Sequence, residues 1–119
     1  MLVIRSSQMN VFREKILQDF ENRRLADIAR RFPTRYEELG EHGTRAVIIT
    51  AIQMSEFWGV HGESDVANLA DLMICYGETF DRNPKLAFET KPLRNSNLPG
   101  DARVLLTMAR LGVEPGFHE

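Results

Sequence analysis

Cysteine is almost absent from this chain of 119 residues, since Cys75 in the apolar run "DLMICY" is the single one. One thiol cannot form an internal disulfide, so nothing in the sequence points to an oxidising compartment. A reactive thiolate needs an accessible and electropositive setting. We therefore expect Cys75 to be a small buried hydrophobe rather than a nucleophile.

Long apolar runs are also missing. No segment approaches the ~20 consecutive apolar residues that a membrane-spanning helix needs. The opening stretch "MLVIRSSQMNVF" turns polar too soon for the apolar core of a signal peptide. We expect a soluble, cytoplasmic protein without a membrane partner.

Catalytic and metal-binding patterns are lacking as well. The three histidines, His42, His61 and His118, have no metal-ligand spacing with Cys75. The stretch "DRNPKLAFETKP" places a lysine and a proline where a calcium loop needs oxygen ligands. No glycine-rich phosphate loop and no Gly-x-Ser-x-Gly motif is present. The sequence thus predicts a non-enzymatic protein with no catalytic residue, cofactor or metal.

What the chain does contain is helical periodicity. Its content of 43% hydrophobic and 27% charged residues is ordinary for a globular protein, and its length fits one domain over residues 1–119. Ser6 and Ser7 can cap a first helix over about residues 7–32, which Pro33 ends. Its apolar stripe recurs mostly every three or four residues: Met9, Phe12, Ile16, Phe20, Leu25, Ile28 and Phe32. This stripe is long for one small core and also allows a homodimer.

Further helices follow, and the overall prediction is an all-α, single-domain helical bundle of about four main helices plus one or two short ones. A short helix can run from Pro33 to Gly40. The apolar run from Ala46 to Ile52 is predicted as a central buried helix, with a buried strand as its rival. Ser64 is predicted to cap a helix whose inward residues are Val66, Leu69, Met73 and Tyr76, and a short helix is predicted near Lys85–Glu89. Asp101 is predicted to cap a last helix whose inward residues are Val104, Leu105, Met108 and Leu111. The ends are predicted as an arm or short strand over 1–5 and a flexible tail over 113–119.

The segment "WGVHGESDVANLADLM" has the layout of a helix-turn-helix, in which the second helix would read DNA. A recognition helix needs Arg or Lys toward the phosphates. Residues 46–81 contain neither, and they carry six acids: Glu56, Glu63, Asp65, Asp71, Glu78 and Asp81. We expect the turn to pack two core helices, with Trp58 in the core and no nucleic-acid partner. The arginine pairs at 23/24 and 30/31 alternate with acids, which favours a solvated, salt-bridged face.

Three stretches together resemble a family of small proteins encoded in bacterial type VI secretion effector clusters. These are "MLVIRSSQM", "YEELGEHGTRAVIITAI" and "WGVHGESDVANLADLMICYGETFDRNP", which span most of residues 1–84. After Pro84 the chain departs from the pattern, because "KLAFETKPLRN" stands where the family has a Trp-rich stretch. Such genes lie beside those of PAAR spike-tip proteins, adaptor chaperones and toxic effectors. The resemblance implies a co-chaperone or adaptor that binds an effector or its adaptor chaperone for loading on the spike.

Two alternatives stay open, an immunity protein that neutralises a cognate toxin and a helix-turn-helix-like regulator. An adaptor would use exposed apolar anchors, and an immunity protein facing a basic toxin site would use acidic ones. The N-terminal arm could add an edge strand to a partner. The candidate partner-binding residues are Leu2, Ile4, Glu63, Asp65, Asp71, Phe88 and Leu93, with Leu98 and Phe117 as further apolar candidates.

Overall fold

The computed structural model describes the backbone of residues 6–114 and the side chains of residues 13–114. Within that range the chain is all-α, as predicted, with no strand. Five α-helices are present: α1 (Ser6–Arg31), α2 (Pro33–Phe57), α3 (Glu63–Tyr76), α4 (Ala87–Thr90) and α5 (Gly100–Leu111). Single turns of 3-10 helix cover Phe80–Arg82, Pro84–Leu86 and Lys91–Arg94. The four long helices match the predicted number, and α4 with the turn before it matches the short helix expected near Lys85.

Helices α1 and α2 form a hairpin joined by one residue, Phe32. Helix α1 ends two residues before Pro33, and Pro33 begins α2. Proline suits this first position because the N–H group that it lacks would have no helical partner there. Gly40 lies at a kink in α2 with a φ of 73°, which favours glycine. The predicted short helix up to Gly40 is therefore the first limb of α2, and the apolar run from Ala46 to Ile52 is helical rather than a strand.

The run from Ala46 to Ile52 was predicted as a central buried helix, and Val47, Ile48 and Ala51 of α2 are indeed buried, but the most completely buried helix is α3. Every residue from Val66 to Ile74 is buried, whereas Ile49 of α2 is 39% exposed. A helix with partners on several sides loses the polar face that a surface helix needs. Trp58 and Val60, in the turn before α3, are 4% and 2% exposed. Trp58 is therefore a core residue, as expected.

The N-cap residues of α3 and α5 each lie two positions before the predicted ones. Gly62 and Pro99 occupy the N-cap positions, so neither Ser64 nor Asp101 caps its helix. Asp101 accepts a hydrogen bond from the Ala102 N–H at 2.9 Å instead. The Ser6 and Ser7 caps, the arm over 1–5 and most of the tail lie outside the described side chains.

Helix α5 closes the molecule against the turn between α2 and α3. An added Cβ on Gly100 would lie 2.0 Å from the carbonyl oxygen of Gly59, so only glycine fits this approach. Arg103 secures the same joint by donating hydrogen bonds to the carbonyl oxygens of Trp58 and Leu98, both at 3.0 Å. Val104 and Met108 enter the core, but Leu105 is 42% exposed, which corrects its predicted inward position. Thr107 is buried on that face in its place.

Candidate functional site

An open apolar groove lies where the N-terminal half of α1 crosses the end of α2 and the start of α3. It encloses about 230 Å³. Six apolar residues line it (Ile16, Leu17, Phe20, Ile52, Val60 and Val66), together with four polar ones (Ser55, Glu56, His61 and Glu63). Ile16 is 48% exposed although the sequence placed it on the core stripe. We call this surface the α1 groove.

Two ion pairs bridge the α1 groove from side to side. Arg13 reaches Glu56 at 3.0 Å, and Arg23 reaches Glu63 at 3.2 Å. All four side chains are about half exposed or more, so each pair contributes little stability by itself. The pairs place charged side chains next to the apolar lining, which suits a partner that offers both apolar and polar groups.

Below the groove, α1 and α3 are joined by a cluster of arginines and aspartates. Arg31 donates to Asp71 at 2.7 Å and to Asp27 at 2.7 Å through the same nitrogen. Arg24 and Arg30 also contact Asp27, at 3.3 Å and 2.7 Å. The spacing of Arg24, Asp27 and Arg31 along α1 makes these contacts local, whereas Asp71 comes from 40 positions away in the chain.

The two aspartates of this cluster respond to it in opposite directions. Burial alone would raise the pKa of Asp27, but the hydrogen bonds and charges of Arg31, with help from Arg24 and Arg30, lower it below its ordinary value. The pKa of Asp71 is raised, because burial outweighs its hydrogen bond from Arg31 and the nearby Asp27 charge adds to the effect. Both groups bond to Arg31, so this cluster links α1 to α3.

The structure corrects two of the predicted partner-binding residues. Asp71 is 5% exposed and bonded to Arg31, and Leu93 is fully buried because the 3-10 turn Lys91–Arg94 directs it into the core. Neither side chain offers a contact surface. The sequence could not show this for Asp71, since its arginine partner lies in another helix.

The other predicted partner-binding residues differ in exposure and surroundings. Glu63 is exposed and lines the α1 groove, and Asp65 is half-buried near Asp101. Burial and the negative charge of Asp101 raise the pKa of Asp65. Phe88 is 65% exposed and lies under the guanidinium of Arg110, 4.3 Å from its ring centre. Leu2 and Ile4 lie outside the described residues.

Cys75 is exposed, which makes the expectation of a buried hydrophobe wrong. Partial burial of its thiol, together with the negative charge of Asp71, nevertheless raises its pKa. A raised pKa leaves less of the nucleophilic thiolate at neutral pH. Among the described residues, no group of three or more His, Cys, Asp and Glu side chains could hold a metal ion.

The burial of α3 also bears on DNA reading. A recognition helix must present one face to the major groove, but nine consecutive residues of α3 are buried in this chain. The arginine pairs predicted as a solvated face lie on α1, and of these Arg24 is 5% exposed and part of the cluster with Asp27. The turn therefore packs α2 against α3, as expected, and residues 66–74 of α3 lie in the core.

Comparison with known proteins adds no relative: no family model, no curated protein and no solved structure matches this chain. Within residues 6–114, no helix is both long enough and apolar enough to cross a lipid bilayer.

Proposed function

We propose that this protein is a cytoplasmic, non-catalytic adaptor or co-chaperone of bacterial type VI secretion. It binds an effector, or the adaptor chaperone of an effector, for loading on the spike. The observation that carries the binding role is the α1 groove, an apolar surface that the described residues leave open and that Ile16, 48% exposed, helps to line. The assignment to type VI secretion depends on the resemblance of the three sequence stretches.

The partner element that fits the α1 groove is an amphipathic helix. At about 230 Å³ the groove is smaller than the roughly 300–1,000 Å³ typical of small-molecule pockets, so side-chain anchors suit it better than a free ligand. Helices bind such grooves through apolar side chains three and four residues apart. The Arg13–Glu56 and Arg23–Glu63 pairs would meet the polar edges of that helix.

An immunity role is the second candidate, and the crowding of acids at the starts of α3 and α5 favours it. The charge of Asp101 acts on Asp65, and the exposed Glu63, which pairs with Arg23, lies two residues before Asp65 on α3. A toxin whose active site is built for a polyanion would be attracted to these carboxylates. Replacing both Glu63 and Asp65 with Lys should weaken such a complex, and unchanged affinity would show that this acidic surface is not the contact.

The test is co-expression of the tagged protein with the product of each neighbouring gene, followed by capture at moderate and high salt. We expect capture of an effector or adaptor chaperone without rescue from toxicity. Ile16→Glu should weaken that capture about tenfold or more, because it places a charge in an apolar contact. Ile49→Glu is the matched control, since Ile49 is 39% exposed but does not line the groove.

Each outcome separates the candidates. Rescue of growth from a toxic domain would replace the adaptor proposal with the immunity role. Equal capture by the Ile16 and Ile49 variants would remove the α1 groove as the docking surface. If no neighbouring product is captured, the adaptor proposal fails.

A further inference from the structure

A second concave surface lies at the other end of the chain, between the 3-10 turn Lys91–Arg94 and α5. It encloses about 650 Å³ and shares no residue with the α1 groove. Seven residues line it: Lys91, Pro92, Arg94, Asn95, Leu98, Leu106 and Arg110. Three of these are cationic and none is acidic. We call this surface the basic cleft.

The cations of the basic cleft are held by neutral partners. Arg94 donates to the carbonyl oxygen of Asp81 at 2.8 Å and to the Thr90 hydroxyl at 3.4 Å. Arg110 donates to the carbonyl oxygen of Phe88 at 2.8 Å. Carbonyl acceptors orient a guanidinium and leave its full positive charge in place. Each guanidinium also keeps N–H donors beyond those used here, and these can form paired hydrogen bonds with a carboxylate.

Lys91 adds a third positive charge without any ion pair among the described residues. Like Arg94, it has no acidic residue three or four positions away in either direction along the chain. The chain as a whole is acidic, with a net charge of −2. A local excess of three cations in such a chain marks a surface that attracts a negatively charged group.

The apolar part of the basic cleft restricts the kind of anion that fits. Leu106 is 40% exposed, and Pro92 and Leu98 also line the cleft. A nucleic-acid backbone would meet the cations but leave the leucines without apolar contacts. A peptide can present carboxylates and apolar side chains to the two parts of the cleft together.

We propose that the basic cleft binds an acidic peptide segment of a protein partner, in which carboxylates and apolar side chains alternate. The carboxylates contact Lys91, Arg94 and Arg110, and the apolar side chains contact Leu98 and Leu106. This binding goes beyond the proposed adaptor function, because it involves a different surface and does not depend on type VI secretion.

The direct test is fluorescence anisotropy of the whole protein with a short fluorescein-labelled peptide of alternating glutamate and leucine. We expect saturable binding that weakens as salt rises. Lys91→Glu should weaken it about tenfold, since the reversed charge repels the peptide. Lys85→Glu changes the net charge equally on an exposed lysine outside the cleft, and it should have a much smaller effect. Circular dichroism confirms that both variants fold.

The apolar part of the basic cleft is tested with a second matched pair of variants. Leu106→Ser should weaken peptide binding several-fold, whereas Leu105→Ser should leave it unchanged. The two leucines are neighbours on α5 with 40% and 42% exposure, and Leu106 alone lines the basic cleft. Unlike the capture experiment, this assay uses a defined probe, so its result does not depend on the type VI proposal.

Four results would overturn the proposal. One is no binding of the peptide by the unchanged protein. Another is equal binding of a peptide in which glutamine replaces glutamate, because the charges would then be unnecessary. The third is an equal effect of the Lys85 and Lys91 variants, or of the Leu105 and Leu106 variants. The last is tighter binding of a single-stranded oligonucleotide that displaces the peptide, which would assign the cleft to nucleic acid.

Discussion

Arginines are used differently in the two halves of this molecule. In the helices α1 and α2, seven arginines form ion pairs with carboxylates: Arg13, Arg23, Arg24, Arg30, Arg31, Arg35 and Arg45. From residue 80 onward, Arg94, Arg103 and Arg110 donate to backbone carbonyl oxygens instead. A carboxylate neutralises the charge it bonds, and a carbonyl does not. The first half therefore uses its arginines for ion pairs and internal cohesion, whereas Arg94 and Arg110 of the second half, which line the basic cleft, keep a charge that no carboxylate neutralises among the described residues.

The largest expected effect on stability comes from disturbing the contact between the two halves at Gly100. Gly100→Ala should lower the free energy of unfolding by about 3 kcal/mol, because the new methyl group cannot coexist with the Gly59 carbonyl 2.0 Å away and backbone must move. Urea denaturation followed by circular dichroism measures the loss. Gly43→Ala is the control, since its Cβ would meet the Leu39 side chain at 3.3 Å rather than backbone. A loss no greater than that of the control would contradict the close approach.

The next effect tests whether the charges of the first half provide stability. Asp27→Asn should cost about 2 kcal/mol at neutral pH, because Asp27 accepts from three arginines and one of them, Arg24, is buried. Asp19→Asn, at an exposed position on the same helix, should cost much less. Equal unfolding curves for the two variants would show that the cluster is not stabilising.

For Asp27→Asn we also predict how the loss of stability depends on pH. The pKa of Asp27 is lower in the folded protein than its ordinary value of 3.8, so the folded state favours the charged form. The stability that Asp27 provides is complete above pH 3.8 and is lost as the pH falls toward the folded pKa. The stability difference between the unchanged protein and Asp27→Asn should therefore shrink on acidification. A difference that stays constant down to complete acid unfolding would argue against ionic stabilisation.

The smallest effect belongs to the second half. Lys91→Ala should change the free energy of unfolding by less than about 0.5 kcal/mol, because this exposed lysine makes no ion pair among the described residues. The same denaturation experiment measures it. A loss as large as that of Asp27→Asn would mean that Lys91 is part of the internal cohesion after all, and the contrast between the halves would disappear.

Helical periodicity was enough to predict the all-α class and the long helices, because that signal lies within each segment. It could not rank the helices by burial. The run from Ala46 to Ile52 is more apolar than α3, yet α3 packs against α2, α5 and the 3-10 turn Phe80–Arg82, and only the packing of the whole chain decides this. The predicted inward position of Leu105 was wrong for a similar reason, since a stripe of three- and four-residue spacing allows either Leu105 or Thr107 to face inward.

The candidate sites were less predictable than the fold. Of the predicted partner-binding residues, Glu63 and Phe88 are exposed, but Asp71 and Leu93 are buried, and side-chain type alone does not separate these two cases. The α1 groove depends on a gap between three helices, which no local pattern records. The basic cleft did leave a signal, because Lys91 and Arg94 have no acid within helical pairing distance, and this absence of partners is visible in the sequence alone.

The contact between Gly59 and Gly100 also has a consequence for folding kinetics. Helices α1, α2 and α3 follow one another through short turns, so they can associate early with little loss of chain entropy. The contact at Gly100 joins residues 41 positions apart in the chain and closes a much longer loop, whose cost rises only slowly with length. We expect α5 to dock after the first three helices have packed and, in native-state hydrogen exchange, to open at lower free energy than α3.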